Sequence, residues 1–260
     1  MKIVIVGGGT AGWLAALMCS KIRSEHSVTV IESSKIGIIG AGEGSTGSLT
    51  NIVQNEMHNL GCVEEEFIKE CDATIKLGIK HIGWNPDTVS HYYGPIDGSP
   101  TSYDSTDLVF QNALGYREQK LLHLSTELGY KIHHNKNSFV ENNGNHAYHF
   151  DAHKVGKYFK RLCDTVKHID SEVDEVILHP ETGYIKELRL SNGKTEAGDM
   201  FIDASGFGQV LMKALGSKWK SYKDNLPVNS ALPFLLPYDD NEIIEPVTNA
   251  WAQKNGWCWQ

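Results

Sequence analysis

The hydrophobic positions near the N-terminus change period within a few residues, and this change predicts a strand followed by a helix. The run KIVIV at 2–6 is short and β-branched, as in a buried strand. The stretch GGGTAGWLAALMCSKI at 7–22 then has the composition of a glycine turn and a helix. A second β-branched run, SVTVIES, occupies 27–33. This order predicts a βαβ unit with two parallel strands.

A second glycine-rich loop follows the βαβ unit. It is IGIIGAGEGSTGS at 36–48, and it leads into LTNIVQNEMHNLG at 49–61, which predicts a helix closed by Gly61. The region from about 75 to 150 is rich in Tyr, His, Gly, Asn and Asp and has few long periodic runs. We therefore expect irregular structure with short strands there.

The last part of the pattern predicts one helix and three strands. HKVGKYFKRLCDTVK at 153–167 places apolar residues on one helical face. EVDEVILHP at 172–180, YIKELRLSNG at 184–193 and DMFIDASG at 199–206 are typical of strands. The Asn-Gly pair in the second of these predicts a hairpin turn. A meander of strands is therefore expected after the helix.

Length, composition and charge exclude several classes of function. The chain has 260 residues, of which 40% are apolar and 22% charged, as in an ordinary globular protein with one large domain or two small ones. The formal net charge of −8 argues against a nucleic acid as the main partner. No stretch approaches ~18 uninterrupted apolar residues, so no membrane span is predicted. The opening residues lack a cleavage pattern, so no signal peptide is expected.

Cysteine and histidine usage gives two further expectations. The five cysteines contain no C-x-x-C pair and their number is odd, which indicates reduced thiols and a cytoplasmic protein. Twelve histidines invite a metal hypothesis, but no H-E-x-x-H motif or Cys/His ligand spacing is present. We therefore predict no metal site.

The glycines between the first strand and the helix form a G-x-G-x-x-G motif, Gly7, Gly9 and Gly12. In dinucleotide-binding proteins the first glycine makes a tight turn, the second lets the backbone approach the pyrophosphate, and the third lets helix and strand pack closely. Glu32 ends the second strand, 20 residues beyond Gly12, where an acid can accept hydrogen bonds from ribose hydroxyls. The alternative is a glycine-rich turn without a ligand. An acid at 32 favours FAD or NAD over NADP.

The late strand at 199–206 decides between FAD and NAD. In flavoproteins with a two-dinucleotide fold, such a strand returns to the first βαβ unit and brings an aspartate near the ribityl and phosphate groups. Asp203 is the residue for that role, although it could equally be a helix cap or a turn residue. We therefore predict an α/β fold, an FAD-binding, Rossmann-like two-dinucleotide fold with a β-meander and an irregular insertion on the substrate side.

Several blocks of the sequence resemble the flavin-dependent tryptophan halogenases, and the resemblance runs from residue 1 to residue 260. The blocks are GGGTAGW, GIIGAGEGSTGSL, ATIKLGIKHIGW, HAYHFDAHKVGKYFKR and FIDASGFGQVL. One departure is Glu-Gly-Ser at 43–45, where the family often has Glu-Ala-Thr. The final GWCWQ resembles the start of the family's Trp-x-Trp-x-Ile-Pro signature and stops before Ile-Pro. We expect an N-terminal half that is inactive alone, because the family's catalytic glutamate lies further along.

The resemblance implies a reaction and a lysine that takes part in it. In the family, reduced FAD, dioxygen and halide yield hypohalous acid, which a lysine holds by hydrogen bonding or as a haloamine before an aromatic ring is halogenated. Lys76 is the candidate, with Lys80 on the same face as its competitor and a solvated surface lysine as the alternative. His91 and Tyr93 would stack on the aromatic substrate, for which the alternative is a turn with a packed tyrosine.

The resemblance and the glycine motif together assign the flavin contacts. These residues form the pyrophosphate turn, the ribose edge, the isoalloxazine wall and the adenine contact, and they are Gly7, Gly9, Thr10, Ala11, Gly12, Glu32, Ser33, Ile36, Ile39, Ala41, Gly44, Val173 and Asp203. The chain has one dinucleotide fingerprint, so reduced FAD is expected from a separate flavin reductase. A homodimer is left open.

We divide the chain into four parts by these assignments. An FAD-binding βαβ part at 1–75 is followed by an inserted segment with the lysine and substrate residues at 76–150. The FAD-binding part returns at 151–215, and a substrate-side sheet begins at 216–260. The predicted function is FADH2-, O2- and halide-dependent halogenation of an aromatic substrate such as tryptophan or another indole or phenol. The alternatives are a flavin-dependent monooxygenase, which needs no remote lysine, and a non-catalytic truncated flavin-binding module.

Overall fold

The computed structural model describes most of the chain outside the segment at 95–145. The described residues are 1–22, 24–38, 40, 43–54, 59–76, 78–84, 91–94 (backbone only), 146–234, 236–237 and 247–260. Two predicted flavin contacts, Ile39 and Ala41, lie outside them.

The described residues form strands and helices with the following bounds. The strands are β1 Lys2–Val6, β2 Ser27–Glu32, β3 Glu43–Gly44, β4 Thr74–Lys76, β5 Ile79–Ile82, β6 His91–Gly94, β7 Ala147–Phe150, β8 Lys167–Asp170, β9 Val173–Leu178, β10 Ile185–Leu190, β11 Thr195–Ala197, β12 Met200–Asp203, β13 Thr248–Gln253 and β14 Gly256–Trp259. The helices are α1 Thr10–Ile22, α2 Gly47–Val53, α3 Glu64–Glu70, α4 Ala152–Leu162 and α5 Val210–Ala214.

The chain divides into two compact units, which we describe separately. The first comprises Met1–Ala41, Met57–Cys62 and Asp151–Pro227. The second comprises Gly42–Glu56, Val63–Phe150 and Val228–Gln260. The division of the chain into four functional parts stays a prediction.

The first unit contains a parallel sheet with the strand order β12-β1-β2-β8. β1 pairs with β2 on one side and with β12 on the other, where Val6 lies opposite Asp203. The predicted βαβ unit and the predicted return of the late strand are therefore confirmed. The fourth strand, β8, was not predicted, because KHID carries only one apolar residue and lies at the edge, where three of its four residues are exposed.

An antiparallel meander with the order β11-β10-β9 completes the first unit. The Asn-Gly turn joins β10 to β11, a strand that the pattern did not predict, so β11 rather than β12 is the third strand of the meander. Gly193 has φ +79° in this turn, a conformation that glycine adopts without strain. Leu188 and Leu190 from the meander pack with Val4 and Val6 from the sheet in one core cluster.

Two predicted helices have different ends in the structure. α4 begins after Asp151, whose carboxylate accepts a hydrogen bond from the backbone N–H of His153 at 2.8 Å, and it ends at Leu162 rather than at residue 167. α2 ends at Val53, so the prediction that Gly61 closes it is wrong.

The second unit contains two short sheets. β3, β7 and β4 form an antiparallel sheet with β7 in the centre. The other sheet has the order β14-β13-β5-β6, in which only β13 and β5 are parallel. Trp257 and Trp259 lie in β14. Among the described residues, no helix is long and apolar enough to cross a membrane.

Candidate functional site

The glycine turn after β1 is built as the motif requires. Gly7 has φ +113°, and its backbone N–H donates to the carbonyl of Ile31 at 2.9 Å. A Cβ on Gly7 would lie 2.2 Å from the carbonyl oxygen of Ala204, and a Cβ on Gly12 would lie 1.9 Å from the carbonyl oxygen of Gly7. Both positions therefore demand glycine for packing within the protein itself.

Gly9 differs from these two glycines. The nearest atom to a Cβ at this position is Cγ2 of Ile38, 3.7 Å away, which is an ordinary van der Waals distance. The backbone N–H of Trp13 donates to the carbonyl of Gly9, so Gly9 stands at the N-terminus of α1. The packing of the protein does not require glycine here. An open approach to the backbone at a helix N-terminus suits a pyrophosphate, which such a terminus attracts.

Glu32 lies directly beside the glycine turn and has three partners in the protein. Its Oε1 lies 2.5 Å from Nζ of Lys160 and 2.8 Å from Nε2 of His168, and its Oε2 accepts from the indole N–H of Trp13 at 3.1 Å. A Cβ on Gly8 would lie 1.5 Å from Oε2 of Glu32, so the second glycine of the GGG run makes room for this carboxylate. Sequence reasoning had placed the acid correctly at the end of β2 but missed its partners.

Asp203 caps α5. Its carboxylate accepts hydrogen bonds from the backbone N–H groups of Leu211 at 2.8 Å and Met212 at 2.9 Å, and from the hydroxyl of Ser205 at 2.5 Å. Burial raises the pKa of this carboxyl, but the hydrogen bonds outweigh burial and hold it below its ordinary value. The cap that sequence reasoning held open as an alternative is thus present. A contact of Asp203 with the flavin stays a prediction.

The remaining predicted flavin contacts have varied surroundings in the first unit. Thr10 and Ala11 open α1, and the hydroxyl of Thr10 donates to the carbonyl of Ala152 at 3.3 Å. Ser33 begins a turn in which the N–H of Ile36 donates to its carbonyl. Ile36 is 65% exposed. Val173 packs against the core cluster of the first unit.

Lys76 is buried in the second unit. It is 6% exposed, so the alternative of a solvated surface lysine is wrong. It lies at the end of β4, and its Nζ donates to the carbonyl oxygen of Ser45 at 3.2 Å. Ser45 is itself held in place, because its N–H donates to the carbonyl of Tyr148 and its hydroxyl accepts from the N–H of Tyr148. The carbonyl that accepts from the amino group of Lys76 therefore belongs to a residue that two hydrogen bonds tie to β7.

Lys80, the competitor of Lys76, belongs to a different strand and a different sheet. β4 ends at Lys76, and Lys80 lies in β5, where it pairs with Asn249 of β13. The expectation that the two lysines share one face of one element is therefore wrong. The backbone of His91 and Tyr93 forms part of β6 and pairs with β5, while their side chains lie outside the described part of the chain.

Lys76, His149 and Thr248 lie beside Gly44, whose contact with the flavin stays a prediction. A Cβ on Gly44 would lie 3.3 Å from Nζ of Lys76, 3.4 Å from Cδ2 of His149 and 3.5 Å from Oγ1 of Thr248. Nε2 of His149 and Oγ1 of Thr248 are hydrogen-bonded at 2.7 Å. Sequence reasoning missed both residues, although His149 lies within the block that carried the family resemblance.

A buried polar network supports the other face of the same sheet. Oε1 of Glu64 contacts Nε2 of His146 at 2.7 Å and accepts a short hydrogen bond from the hydroxyl of Tyr148, while its Oε2 accepts from the side-chain amide of Gln54 at 3.0 Å. Burial raises the pKa of Glu64, but these hydrogen bonds outweigh it and hold the pKa below its ordinary value. The network fixes Tyr148, whose backbone positions Ser45.

The parallel sheet, the glycine turn at its carboxyl edge and the acid at the end of β2 define the class of protein, a Rossmann-like dinucleotide-binding α/β protein. The sequence model of the tryptophan halogenase family matches residues 2–260. The chain therefore belongs to the tryptophan halogenase family.

Individual relatives extend this finding. Tryptophan 6-halogenase ThaL of Streptomyces albogriseolus is 30% identical over 99% of this chain and 52% of its own length. Tryptophan 7-halogenase RebH of Lentzea aerocolonigenes is 29% identical over 100% of this chain and 53% of its own. The solved structure of Tar14, a tryptophan C-6 flavin-dependent halogenase from taromycin biosynthesis, superposes with a TM-score of 0.75 at 30% identity, over 99% of this chain and 54% of that one. The chain spans about half the length of the curated relatives it matches.

Proposed function

We propose that the protein carries out FADH2-, O2- and halide-dependent halogenation of an aromatic substrate. Membership of the tryptophan halogenase family supports this proposal. The single observation that carries it is Lys76, a lysine that is 6% exposed and whose amino group is held by a backbone carbonyl. A lysine is rarely buried without a function, because removing its charge from water is costly.

FAD is the cofactor in this proposal, and the first unit would hold it. The open approach at Gly9 and the N–H groups at the start of α1 suit its pyrophosphate, and Glu32 suits its ribose. When bound in its reduced form, FAD supplies the activation of dioxygen through which halide becomes hypohalous acid. A separate flavin reductase would supply the reduced form.

Lys76 would hold the hypohalous acid. A protonated amine can donate a hydrogen bond to the oxygen of this acid, and a neutral amine can accept the halogen instead. The reference pKa of a lysine is about 10.4, so the second route needs an environment that disfavours the charged amine, such as burial. Either route uses the fixed position of Nζ against the carbonyl of Ser45.

An indole or phenol is the substrate class in this proposal, with tryptophan as the first candidate. ThaL and RebH are named as tryptophan halogenases. His91 and Tyr93 in β6 are the residues we propose to stack on the aromatic ring, an interaction worth about 0.5–1.5 kcal/mol for an aromatic pair.

The test is aromatic product formation by the whole protein with FAD, a flavin reductase, NADH and chloride or bromide. We expect Lys76→Ala to abolish halogenated product, and Lys80→Ala, the matched control, to retain it. Lys76→Arg should not rescue, because a guanidinium stays charged and cannot form the same neutral amine adduct. FAD affinity should be unchanged in each variant.

Other outcomes would reject parts of the proposal. Loss of product only in Lys80→Ala would move the role to Lys80. An oxygenated product that forms without halide would identify a monooxygenase. Full activity in both alanine variants would reject the lysine mechanism.

A further inference from the structure

The carboxylate of Glu32 is held on one of its two oxygens by a pair of basic side chains. Oε1 lies 2.5 Å from Nζ of Lys160 and 2.8 Å from Nε2 of His168. Oε2 accepts from the indole N–H of Trp13 at 3.1 Å. The three partners belong to α4, β8 and α1, so packing between separate elements of the first unit orients this carboxylate.

The partners of Glu32 also contact one another. The ammonium group of Lys160 lies over the ring of Trp13, 4.8 Å from its centroid, and the rings of His168 and Trp13 lie 5.6 Å apart. Trp13 is buried in the core of the first unit. A cation over an aromatic face gains a contact that a simple surface ion pair lacks. Lys160 is therefore held by two contacts rather than by the ion pair alone.

These contacts use most of the hydrogen-bonding capacity of the carboxylate. An ionised carboxylate has about four acceptor positions, two on each oxygen. Lys160 and His168 take both positions on Oε1, and the indole of Trp13 takes one on Oε2. The three contacts thus leave one acceptor position, and it is on Oε2.

The remaining position lies beside the glycine turn. A Cβ on Gly8 would lie 1.5 Å from Oε2 of Glu32, so this oxygen lies against the backbone of the turn to which the proposed function assigns the pyrophosphate. The side chains of Glu32, Lys160 and His168 are 21%, 39% and 33% exposed, so a ligand can reach them. In dinucleotide-binding proteins an acid at the end of the second strand accepts from the ribose 2′-hydroxyl.

We infer that Lys160 and His168 are positioning residues for FAD, which fix the carboxylate of Glu32 so that Oε2 alone accepts from the adenosine ribose, from its 2′-hydroxyl and not from its 3′-hydroxyl. This inference rests on the proposed function, in which FAD is the cofactor. The terminal torsion of a glutamate is broad, so a carboxylate without such partners can turn and offer one oxygen to each hydroxyl. The two basic groups on Oε1 prevent this second arrangement.

The experiment compares ADP, which contains this ribose and the pyrophosphate of FAD, with 2′-deoxy-ADP and 3′-deoxy-ADP. Calorimetric titration of the whole protein gives the three values of Kd, and displacement of FAD by ADP shows that both use one site. The wild-type protein should bind 2′-deoxy-ADP about tenfold more weakly than ADP, as expected for the loss of a hydrogen bond to a charged group. It should bind 3′-deoxy-ADP within about threefold of ADP.

The decisive quantity is the ratio of the Kd values of the two deoxy nucleotides. Lys160→Met should bring this ratio to within about twofold of one, because the carboxylate can then turn. Lys160→Arg keeps a cationic N–H donor and should retain the wild-type ratio. Lys157→Met is the matched control, because Lys157 is exposed on the same helix, and it should retain the ratio as well. A merely structural role of Lys160 would weaken all three nucleotides alike and leave the ratio unchanged.

His168→Leu keeps the inference testable if Lys160→Met does not fold. This variant frees one acceptor position on Oε1 and should lower the ratio at least about threefold. A wild-type ratio in either folded variant, a lowered ratio in Lys157→Met, or equal binding of the two deoxy nucleotides by the wild-type protein would overturn the inference. Failure of the wild-type protein to bind FAD would instead reject the proposed function itself.

Discussion

Substituting alanine at Gly9 and at Gly12 should separate a glycine that serves a ligand from a glycine that serves the fold. Both belong to the same motif and both changes add one methyl group. At Gly12 that methyl group would lie 1.9 Å from the carbonyl oxygen of Gly7, whereas at Gly9 its nearest neighbour is 3.7 Å away. The first contact cannot form without moving the backbone of the turn, and the second needs no movement.

The magnitudes follow from these distances. Overpacking of a tight site costs about 1–3 kcal/mol and occasionally more, and we expect Gly12→Ala at or above the upper end of this range. Gly9→Ala exchanges an N-cap glycine for alanine, which costs no more than about 1 kcal/mol. For a protein of this size, 1 kcal/mol corresponds to about 2–4 °C in Tm. Gly12→Ala should therefore lower Tm by at least about 6 °C, and Gly9→Ala by less than about 4 °C.

FAD affinity should show a different dependence. We expect Gly9→Ala to weaken binding of FAD about tenfold or more, because the methyl group occupies the approach of the pyrophosphate, and Gly9→Val to weaken it further. Thermal unfolding and equilibrium titration of the same preparations give both quantities. A Gly9→Ala protein with wild-type affinity, or one destabilised as strongly as Gly12→Ala, would refute the reasoning. Tighter binding of NADP than of FAD by the wild-type protein would refute the choice of cofactor.

Three further predictions concern the stability of the protein, through Asp203 in the first unit and Glu64 in the second, and the source of the electrons that reduce FAD. Asp203→Asn should destabilise the protein by about 1–2 kcal/mol through the weakened cap of α5, and a loss of FAD affinity in a folded variant would show a flavin contact as well. Glu64→Gln should destabilise the protein at pH 7 by about 1–3 kcal/mol. Because the pKa of Glu64 is lowered in the folded protein, the stabilisation by its carboxylate is present above about pH 4.3 and is lost as the pH falls below that value. The difference in Tm between this variant and the wild type should therefore shrink in acid. The purified protein with FAD should not oxidise NADH without a reductase, and steady oxidation measured by absorbance would contradict this.

The sequence predicted the first unit well because the strands there are buried. KIVIV and SVTVIES lie inside a parallel sheet, and continuous β-branched runs are typical of such strands. The edge strand β8 was not predicted because its residues are mostly exposed and therefore show no apolar pattern. The predicted ends of α2 and α4 were wrong because capping and tertiary contacts determine where a helix ends, and the periodicity of apolar residues does not report them.

The site residues show a similar limit. Glu32 was predicted at the end of β2, but Lys160 and His168 come from α4 and β8 and contact it only through the packing of distant segments. No spacing in the sequence relates residue 32 to residues 160 and 168. The family resemblance identified Lys76, yet Thr248 reaches its surroundings from more than 170 residues away along the chain. Neighbours of this kind follow from strand order, which local pattern does not encode.

The two kinds of glycine in this chain connect the fold to the chemistry we propose. At Gly7 and Gly12 a side chain would collide with backbone atoms of the protein itself, so the fold requires glycine at both positions whether or not a ligand binds. Gly9 leaves space that the protein does not fill, and it lies at the N-terminus of α1, which suits a ligand. A glycine that the surrounding atoms do not require destabilises a chain through its conformational freedom. The presence of Gly9 beside the free N–H groups at the start of α1 is therefore best explained by what we propose binds there, the pyrophosphate of FAD.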